Sequence, residues 1–261
     1  MKISKKRIDK LLVEKGLCES REKAQAIILA GKVWISLDNK NFQRITKSGI
    51  QVPENVYIRI EESFPYVSRG GLKLEGALKI FNLNVKDYIC LDIGASTGGF
   101  THCLLLKGAK KIYALDVGKG QLHYSLRTNP RVIVMEGINA RYIKPDHFSE
   151  KFDLITVDVS FISLKKILPV LPPLLKNKGK VLALIKPQFE VGPKFVKKGI
   201  VRESKLHKKV VDEIWDFSQK LGFKPQGVAE SPILGTKGNK EFFILLTNCL
   251  LYTSPSPRDR G

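Results

Sequence analysis

The sequence predicts an α/β protein: a mainly parallel sheet with one reversed strand, preceded by a small α+β module. Three observations predict this. Beyond Lys86, short runs of apolar and β-branched residues alternate with helical stretches, as in strands joined by crossover helices. The last two runs are joined by a short loop rich in Gly and Lys, Gly235 to Lys240, too short for a crossover, so they must pair antiparallel. The first sixty residues have another rhythm, two short amphipathic helices followed by alternating apolar positions, which marks a separate unit.

In that first unit, residues 1–60, Ile8, Leu11 and Leu12 fall on one helical face while Lys5, Lys6, Arg7 and Lys10 crowd the other; Gly16 closes the helix. Ser20 is placed to cap a second helix, which turns Ala24, Ile27 and Ile28 inward and ends at Gly31. Val33 and Ile35, then Val56, Ile58 and Ile60, alternate as short strands, with a turn at Asp38-Asn39. So small a core suits a docking module. Residues 61–68, with Pro65, read as a linker. The second domain spans residues 69–249. It opens with a helical segment from Gly71 to Ile80, followed by strands at 88–93, 111–116, 132–135, 152–158, 180–186, 227–230 and 241–247. Residues 250–261, with Ser-Pro-Ser-Pro-Arg-Asp-Arg, have no periodicity and read as a disordered tail with the character of a cloning or sequencing scar.

Composition narrows the function. The formal charge of +20 over 261 residues calls for a polyanionic partner, and it is spread along the chain, with 13 Lys/Arg against 6 Asp/Glu in residues 1–60. The four cysteines (Cys18, Cys90, Cys103, Cys249) form no CxxC pair, and the four histidines (His102, His123, His147, His207) have no ligand spacing, so no metal is expected. The most apolar stretch, Ile167 to Ile185, is broken by Pro169, Pro172, Pro173 and three lysines, and the start lacks a signal peptide's apolar run. The expectation is a reduced, cytoplasmic protein without a membrane role.

The strongest motif is Leu91-Asp92-Ile93-Gly94-Ala95-Ser96-Thr97-Gly98-Gly99-Phe100, which follows a strand and opens a helix. Glycines there let backbone approach a ligand, and Asp116, ending the next strand, can hold both hydroxyls of a ribose. Ser96 stands at the third position of the dinucleotide fingerprint G-x-G-x-x-G, where a glycine is needed, which disfavours NAD. The acid-first pattern suits a nucleoside with no pyrophosphate and a cationic amino-acid end, namely S-adenosyl-L-methionine. Asp92, Gly94, Ser96 and Gly98, with Thr97, Gly99 and Phe100 beside them, are expected to hold its methionine end, Asp116 its ribose, and Asn139 its adenine edge.

Open α/β sheets bind ligands at the carboxyl edge of their strands. Asp158 and Lys186 each end a strand there. Glu241 begins the reversed strand and so shares that edge, and Lys73, on the preceding helix, can join them. Singly, each has an ordinary reading as a cap, an ion pair or a solvated lysine; together they form a site. The set Lys73, Asp158, Lys186 and Glu241 resembles the catalytic tetrad of FtsJ-like 2′-O-methyltransferases. The stretches Tyr66-Val67-Ser68-Arg69-Gly70-Gly71-Leu72-Lys73-Leu74, Asp158-Val159-Ser160-Phe161-Ile162-Ser163 and Lys186-Pro187-Gln188-Phe189-Glu190 are similar to the TlyA family. The front pattern, Arg7-x-Asp9-x-x-Leu12, Ser20-Arg21-x-x-Ala24 and Gly31-x-Val33, is similar to the RNA-binding domain shared with ribosomal protein S-four. The resemblance covers roughly residues 3–247.

It implies an S4-like RNA-binding domain ahead of a Rossmann-like methyltransferase domain that methylates a cytidine ribose in ribosomal RNA, on one or both subunits. A ribose hydroxyl is a poor nucleophile, so the enzyme must position it and accept its proton. Lys186 is expected to contact the 2′-oxygen, with Asp158 and Glu241 orienting the two lysine amines. Lys6, Arg7, Lys10, Arg21 and Lys23, with Lys194, Lys197 and Lys198 of a second basic loop, are the expected RNA contacts. Few aromatics interleave with the lysines, which favours recognition of folded RNA by shape. The rival readings are a non-catalytic rRNA-binding or ribosome-assembly factor, a membrane-active toxin, and a nucleotide-dependent oxidoreductase.

Overall fold

The computed structural model describes residues 4–61 and 65–249, so the expected tail and residues 62–64 of the expected linker lie outside the described residues. The chain divides into two compact units, 1–64 and 65–261.

In the first unit, β1 (Lys5–Arg7) leads directly into α1 (Ile8–Glu14), followed by α2 (Arg21–Leu29), β2 (Val33–Ser36), β3 (Gln43–Ile45), β4 (Gln51–Pro53) and β5 (Tyr57–Ile60). β1 pairs antiparallel with β4, and β2 is flanked by β3 and β5. The expectation that Lys5, Lys6 and Arg7 lie on a helix is therefore corrected. Their backbone is committed to β4, and the Ile8 amide donates to the Ile50 carbonyl at 3.0 Å, so the helix starts only at Ile8. Ser20 caps α2 as expected, its Oγ accepting from the Lys23 amide at 3.2 Å. Ile8, Leu11, Leu12, Ala24, Ile28 and Val33 form the small core.

The second unit begins with α3 (Gly70–Ile80), then β6 (Ile89–Ile93), α4 (Gly99–Leu106), β7 (Lys111–Asp116), α5 (Tyr124–Arg127), β8 (Val132–Glu136), β9 (Phe152–Val157), β10 (Leu175–Ile185), α6 (Pro187–Glu190), α7 (Ser204–Lys220), β11 (Phe223–Glu230) and β12 (Phe242–Asn248). The prolines that break the apolar stretch before β10 sit in short 3₁₀ turns. Tyr66, expected within the linker, instead packs into this unit's core, because Gly71 leaves its ring room: a Cβ there would lie 2.1 Å from Tyr66 Cγ.

The seven strands run in the order β11-β12-β10-β9-β6-β7-β8. β12 is antiparallel to both its neighbours and lies inside the sheet rather than at its edge; the other pairs are parallel. Alternation along each strand feeds two cores. Leu74 and Leu78 of α3 and Leu104 of α4 cover one face over Cys90, Ile112 and Leu182. Val210 and Ile214 of α7, with Leu168 and Leu171 of the turns, cover the other over Leu91, Ile155 and Val181. With both faces sealed, only the strand ends and their loops remain to build a site.

Candidate active site

The loop after β6 is shaped by contacts beneath it. Asp92 is 0% exposed, and its two carboxylate oxygens accept from Thr101 Oγ1 at 2.7 Å and Thr156 Oγ1 at 2.9 Å. Burial pushes its carboxyl up to about 6, a rise the two threonine hydroxyls oppose and the nearby Asp158 charge assists. Gly94 adopts φ +82°, and a Cβ there would stand 2.4 Å from the Asp158 carbonyl oxygen, so the loop crosses the end of β9 only because this residue has no side chain. Gly98, at φ +99°, turns the chain into α4 where a Cβ would strike Leu126. Asp92 and Gly98 thus support the loop from below. The face they support carries Gly94, Ser96, Thr97, Gly99 and Phe100, which line a cleft of about 850 Å³ with Ser68, Arg69, Lys73, Asp158, Lys186 and Gly235.

A second cavity of about 450 Å³ opens on the other side of Gly94 and Ser96, lined by Asp116, Gln121, Asn139, Asp158 and Phe161 among others. Asp116 ends β7 there. Its Oδ2 accepts from the Ser96 amide at 2.8 Å and its Oδ1 from the Gly118 amide at 2.7 Å. A carboxylate has about four acceptor positions, so these two bonds fix its plane and leave two for a ligand. Asn139 caps the turn after β8, accepting from the Arg141 amide at 3.1 Å, at the same cavity.

The four charged residues of the rim meet in two ion pairs. Lys73 Nζ of α3 donates to Glu241 Oε2 at 2.6 Å, across 168 residues of sequence, with the carboxylate only 2% exposed. Lys186 Nζ, just beyond β10, stands 2.5 Å from Asp158 Oδ1 at the end of β9. The latter contact lacks hydrogen-bond alignment, so the attraction is chiefly between charges. Gln188 Nε2 donates to the other Glu241 oxygen at 3.4 Å, and Lys186 Nζ donates to Ser160 Oγ at 3.0 Å. Asp158 borders both cavities and Lys186 the larger one.

Sequence reasoning left Ser160, Phe161, Phe189, Glu190 and Asp9 without roles, although their motifs were in view. Phe161 is 91% exposed, sits at φ +62°, which is costly for a bulky side chain, and rests against Phe189 with ring centroids 5.0 Å apart. Glu190 accepts from Ser163 Oγ at 2.6 Å and from the Leu164 amide at 2.8 Å, and burial raises its carboxyl above the ordinary range. For the first four the signal available was position, since they flank the strand ends that carry Asp158 and Lys186; Asp9 stands in the front pattern beside Arg7 and Lys10.

Of the expected RNA contacts, Arg7 and Arg21 converge on Asp9, a carboxylate sealed from solvent just under the surface; Arg7 binds both its oxygens, at 3.0 and 2.9 Å, Arg21 binds Oδ2 at 3.0 Å, and Gln25 and the Lys10 amide also donate to it, at 2.9 and 3.0 Å. The hydrogen bonds from Arg7 lead in holding Asp9 far below the ordinary carboxylate range, against the effect of burial. Lys6 pairs with Glu14 at 2.8 Å and Glu54 at 3.5 Å, and Lys23 with Glu19. Lys10, Lys194, Lys197 and Lys198 are exposed. Among the described residues no group of His, Cys, Asp and Glu could hold a metal ion, and no helix is long and apolar enough to cross a membrane.

Residues 66–248 match the FtsJ-like methyltransferase family and residues 6–55 match the S4 domain. The chain is 48% identical over 249 residues to the "Putative rRNA methyltransferase YqxC" of Bacillus subtilis, covering 94% of this chain and 87% of that protein. It is 41% identical over 243 residues to the "16S/23S rRNA (cytidine-2'-O)-methyltransferase TlyA" of Mycobacterium tuberculosis, covering 92% of this chain and 89% of that one. Among solved structures, the "Putative hemolysin" of Streptococcus thermophilus is similar at a TM-score of 0.72 and 45% identity, covering 94% of this chain and 89% of that chain.

Proposed function

The chain belongs to the FtsJ-like methyltransferase family and carries an S4 domain ahead of it, and from that premise we propose that it methylates the 2′-hydroxyl of a cytidine ribose in ribosomal RNA, using S-adenosylmethionine. The observation that carries this reading is the meeting of Lys73, Asp158, Lys186 and Glu241, from four separate parts of the chain, beside the glycine loop. The nucleotide and the RNA follow from the relatives named for that activity.

The residues present fit the methyl donor. The cavity of about 450 Å³ falls in the range, roughly 300–1,000 Å³, of small-molecule sites. Its Asp116 carboxylate keeps two acceptor positions for a ribose diol, and Asp158 offers negative charge to a cation. The loop from Gly94 to Phe100 would hold the amino-acid end and Asn139 the adenine edge. When bound, the donor supplies a methyl group on a positively charged sulfur, already well activated.

The chain's own task is then to place the hydroxyl and remove its proton. Lys186 contacts the 2′-oxygen and accepts that proton. Asp158 holds Lys186 and, bordering both cavities, keeps negative charge between donor and acceptor sides. Glu241 fixes Lys73, whose ammonium favours the negative charge that grows on the attacking oxygen. The exposed Phe161 ring, standing beside Asp158, offers a face on which a nucleobase turned out of its stack can rest. The first unit supplies grip: Asp9 orients Arg7 and Arg21 so that their free N–H groups meet phosphate oxygens.

Incubation of the protein with ribosomal subunits and S-adenosylmethionine, followed by mass-spectrometric mapping, tests the reading. A methyl group on a cytidine ribose is expected. A methyl group on a base, or none in either subunit, would overturn it.

A further inference from the structure

Lys186 has a partner outside the two ion pairs. Its Nζ donates to Ser160 Oγ at 3.0 Å while Asp158 Oδ1 stands 2.5 Å away, so one loop presents a hydroxyl acceptor and a negative charge to one amine. We propose that Ser160 is a positioning residue for methyl transfer, which aims the remaining valence of Lys186 at the substrate hydroxyl. This rests on the reading of Lys186 as the proton acceptor.

The ammonium of the ion pair first releases a proton to water, and the amine that remains has two N–H bonds and one lone pair, in tetrahedral directions. With a single acceptor, it can turn about the Cε–Nζ bond, and the lone pair sweeps through several orientations. With Ser160 accepting one N–H bond and the Asp158 charge disfavouring a lone pair turned toward it, that rotation is stopped and the lone pair keeps the remaining direction. In the reaction the ribose oxygen gains the methyl carbon, the carbon–sulfur bond breaks with its electron pair staying on sulfur, and the hydroxyl proton passes to the lone pair of Lys186. The positive charge thereby moves from sulfur to nitrogen, where the Asp158 charge and the Ser160 oxygen already stand.

The distance between Ser160 and Lys186 is set by the backbone as well as by the serine. Beyond Ser160, Phe161 rests against Phe189, and farther on Glu190 takes hydrogen bonds from both Ser163 and Leu164. The segment 158–164 is thus fastened to the segment 186–190 at three successive places, with the Ser160 contact nearest the reacting atoms. Ser160 itself is exposed, so a small change of side chain has room and should leave the fold intact.

Steady-state kinetics with ribosomal subunits test the inference in the full-length protein, together with calorimetric binding of S-adenosylmethionine. Ser160→Ala should lower kcat about tenfold, as a misaimed catalytic group does, while KM for the subunit and Kd for the donor stay within about twofold. Ser160→Thr, which keeps the hydroxyl, should return kcat to within about threefold of the wild type, a rescue that a purely structural serine would not show. Ser160→Gly serves as a second variant without the hydroxyl should the alanine variant fold poorly. An unchanged kcat in both hydroxyl-free variants, a threonine variant as impaired as alanine, or a loss confined to KM or Kd would overturn the proposal. If the wild type is active and Lys186→Ala is not, those outcomes remove only the role of Ser160. If the wild type transfers no methyl group, or Lys186→Ala still does, the reading of the whole site fails.

Discussion

Each unit hides an aspartate completely, Asp9 in the first and Asp92 in the second, and surrounds it in opposite fashion. Asp9 gathers two guanidinium groups and an amide from 2, 12 and 16 residues away, so its charge is compensated locally and its carboxyl held low. Asp92 has two neutral hydroxyls and no cation among its hydrogen-bond partners, and its carboxyl is pushed up to about 6. The two lysines of the rim are paired with other carboxylates, Lys186 with Asp158 and Lys73 with Glu241. The first unit builds a surface, in which a local carboxylate orients half-exposed arginines for a polyanion. The second builds a reaction site, in which charge is paired across the fold and one carboxylate is left to shape a loop through neutral donors.

The comparison is broken most severely at the long-range pair. Glu241→Gln keeps the shape of the side chain but removes the charge that fixes Lys73, and kcat for rRNA methylation should fall about a hundredfold. No comparable loss of kcat is expected from any single substitution in the first unit; such a loss there would erase the distinction.

The two hidden aspartates should respond to pH in opposite senses. For Asp92 the folded pKa lies above the ordinary value, so its contribution to stability is intact below about pH 4 and is lost as pH rises through about 6, an effect of roughly 3 kcal/mol. The stability of Asp92→Asn relative to wild type, from urea unfolding, should accordingly increase by about that amount between pH 4 and 7. For Asp9 the folded pKa is depressed, so its contribution is present above the ordinary carboxylate range and fades as pH falls. Asp9→Asn should cost roughly 2 kcal/mol at pH 7, less than a deeply buried pair because Arg7 and Arg21 can turn to water, and the deficit should shrink in acid. Parallel pH trends for the two variants would refute the contrast.

The smallest effect belongs to an exposed lysine. Lys10→Ala should weaken RNA binding only a few-fold and reduce the slope of log K against log salt by about 0.9 or less, leaving kcat unchanged. A change in kcat would make Lys10 more than a phosphate contact.

These differences also explain what was legible in the sequence. Strand ends are readable from apolar alternation, and in an open α/β sheet they share an edge, so Asp158, Lys186 and Glu241 could be brought together before any coordinates. The reversed strand was legible from the shortness of the loop before it, but its place between β10 and β11 was not, because strand order depends on which faces the crossovers cover. Asp92 was expected at the ligand, yet it lies beneath the loop; one-letter spacing does not record that its side chain points into the core toward Thr101 and Thr156. Lys5 to Arg7 looked helical because the pairing that claims them, with Gln51 to Pro53, is some 45 residues away. The left-handed backbone of Phe161 has no sequence mark at all, since nothing about a phenylalanine announces a conformation that favours glycine.

The central claim is that Lys186 touches the reacting oxygen and not merely the donor's pocket. The most direct measurement compares wild type and Lys186→Ala in two assays on the same preparation: calorimetric binding of S-adenosylmethionine, and single-turnover transfer of a labelled methyl group to ribosomal subunits. Donor affinity within about twofold of wild type, with transfer slowed by about a thousandfold or more, is the expected result. Transfer at the wild-type rate by Lys186→Ala would contradict the account.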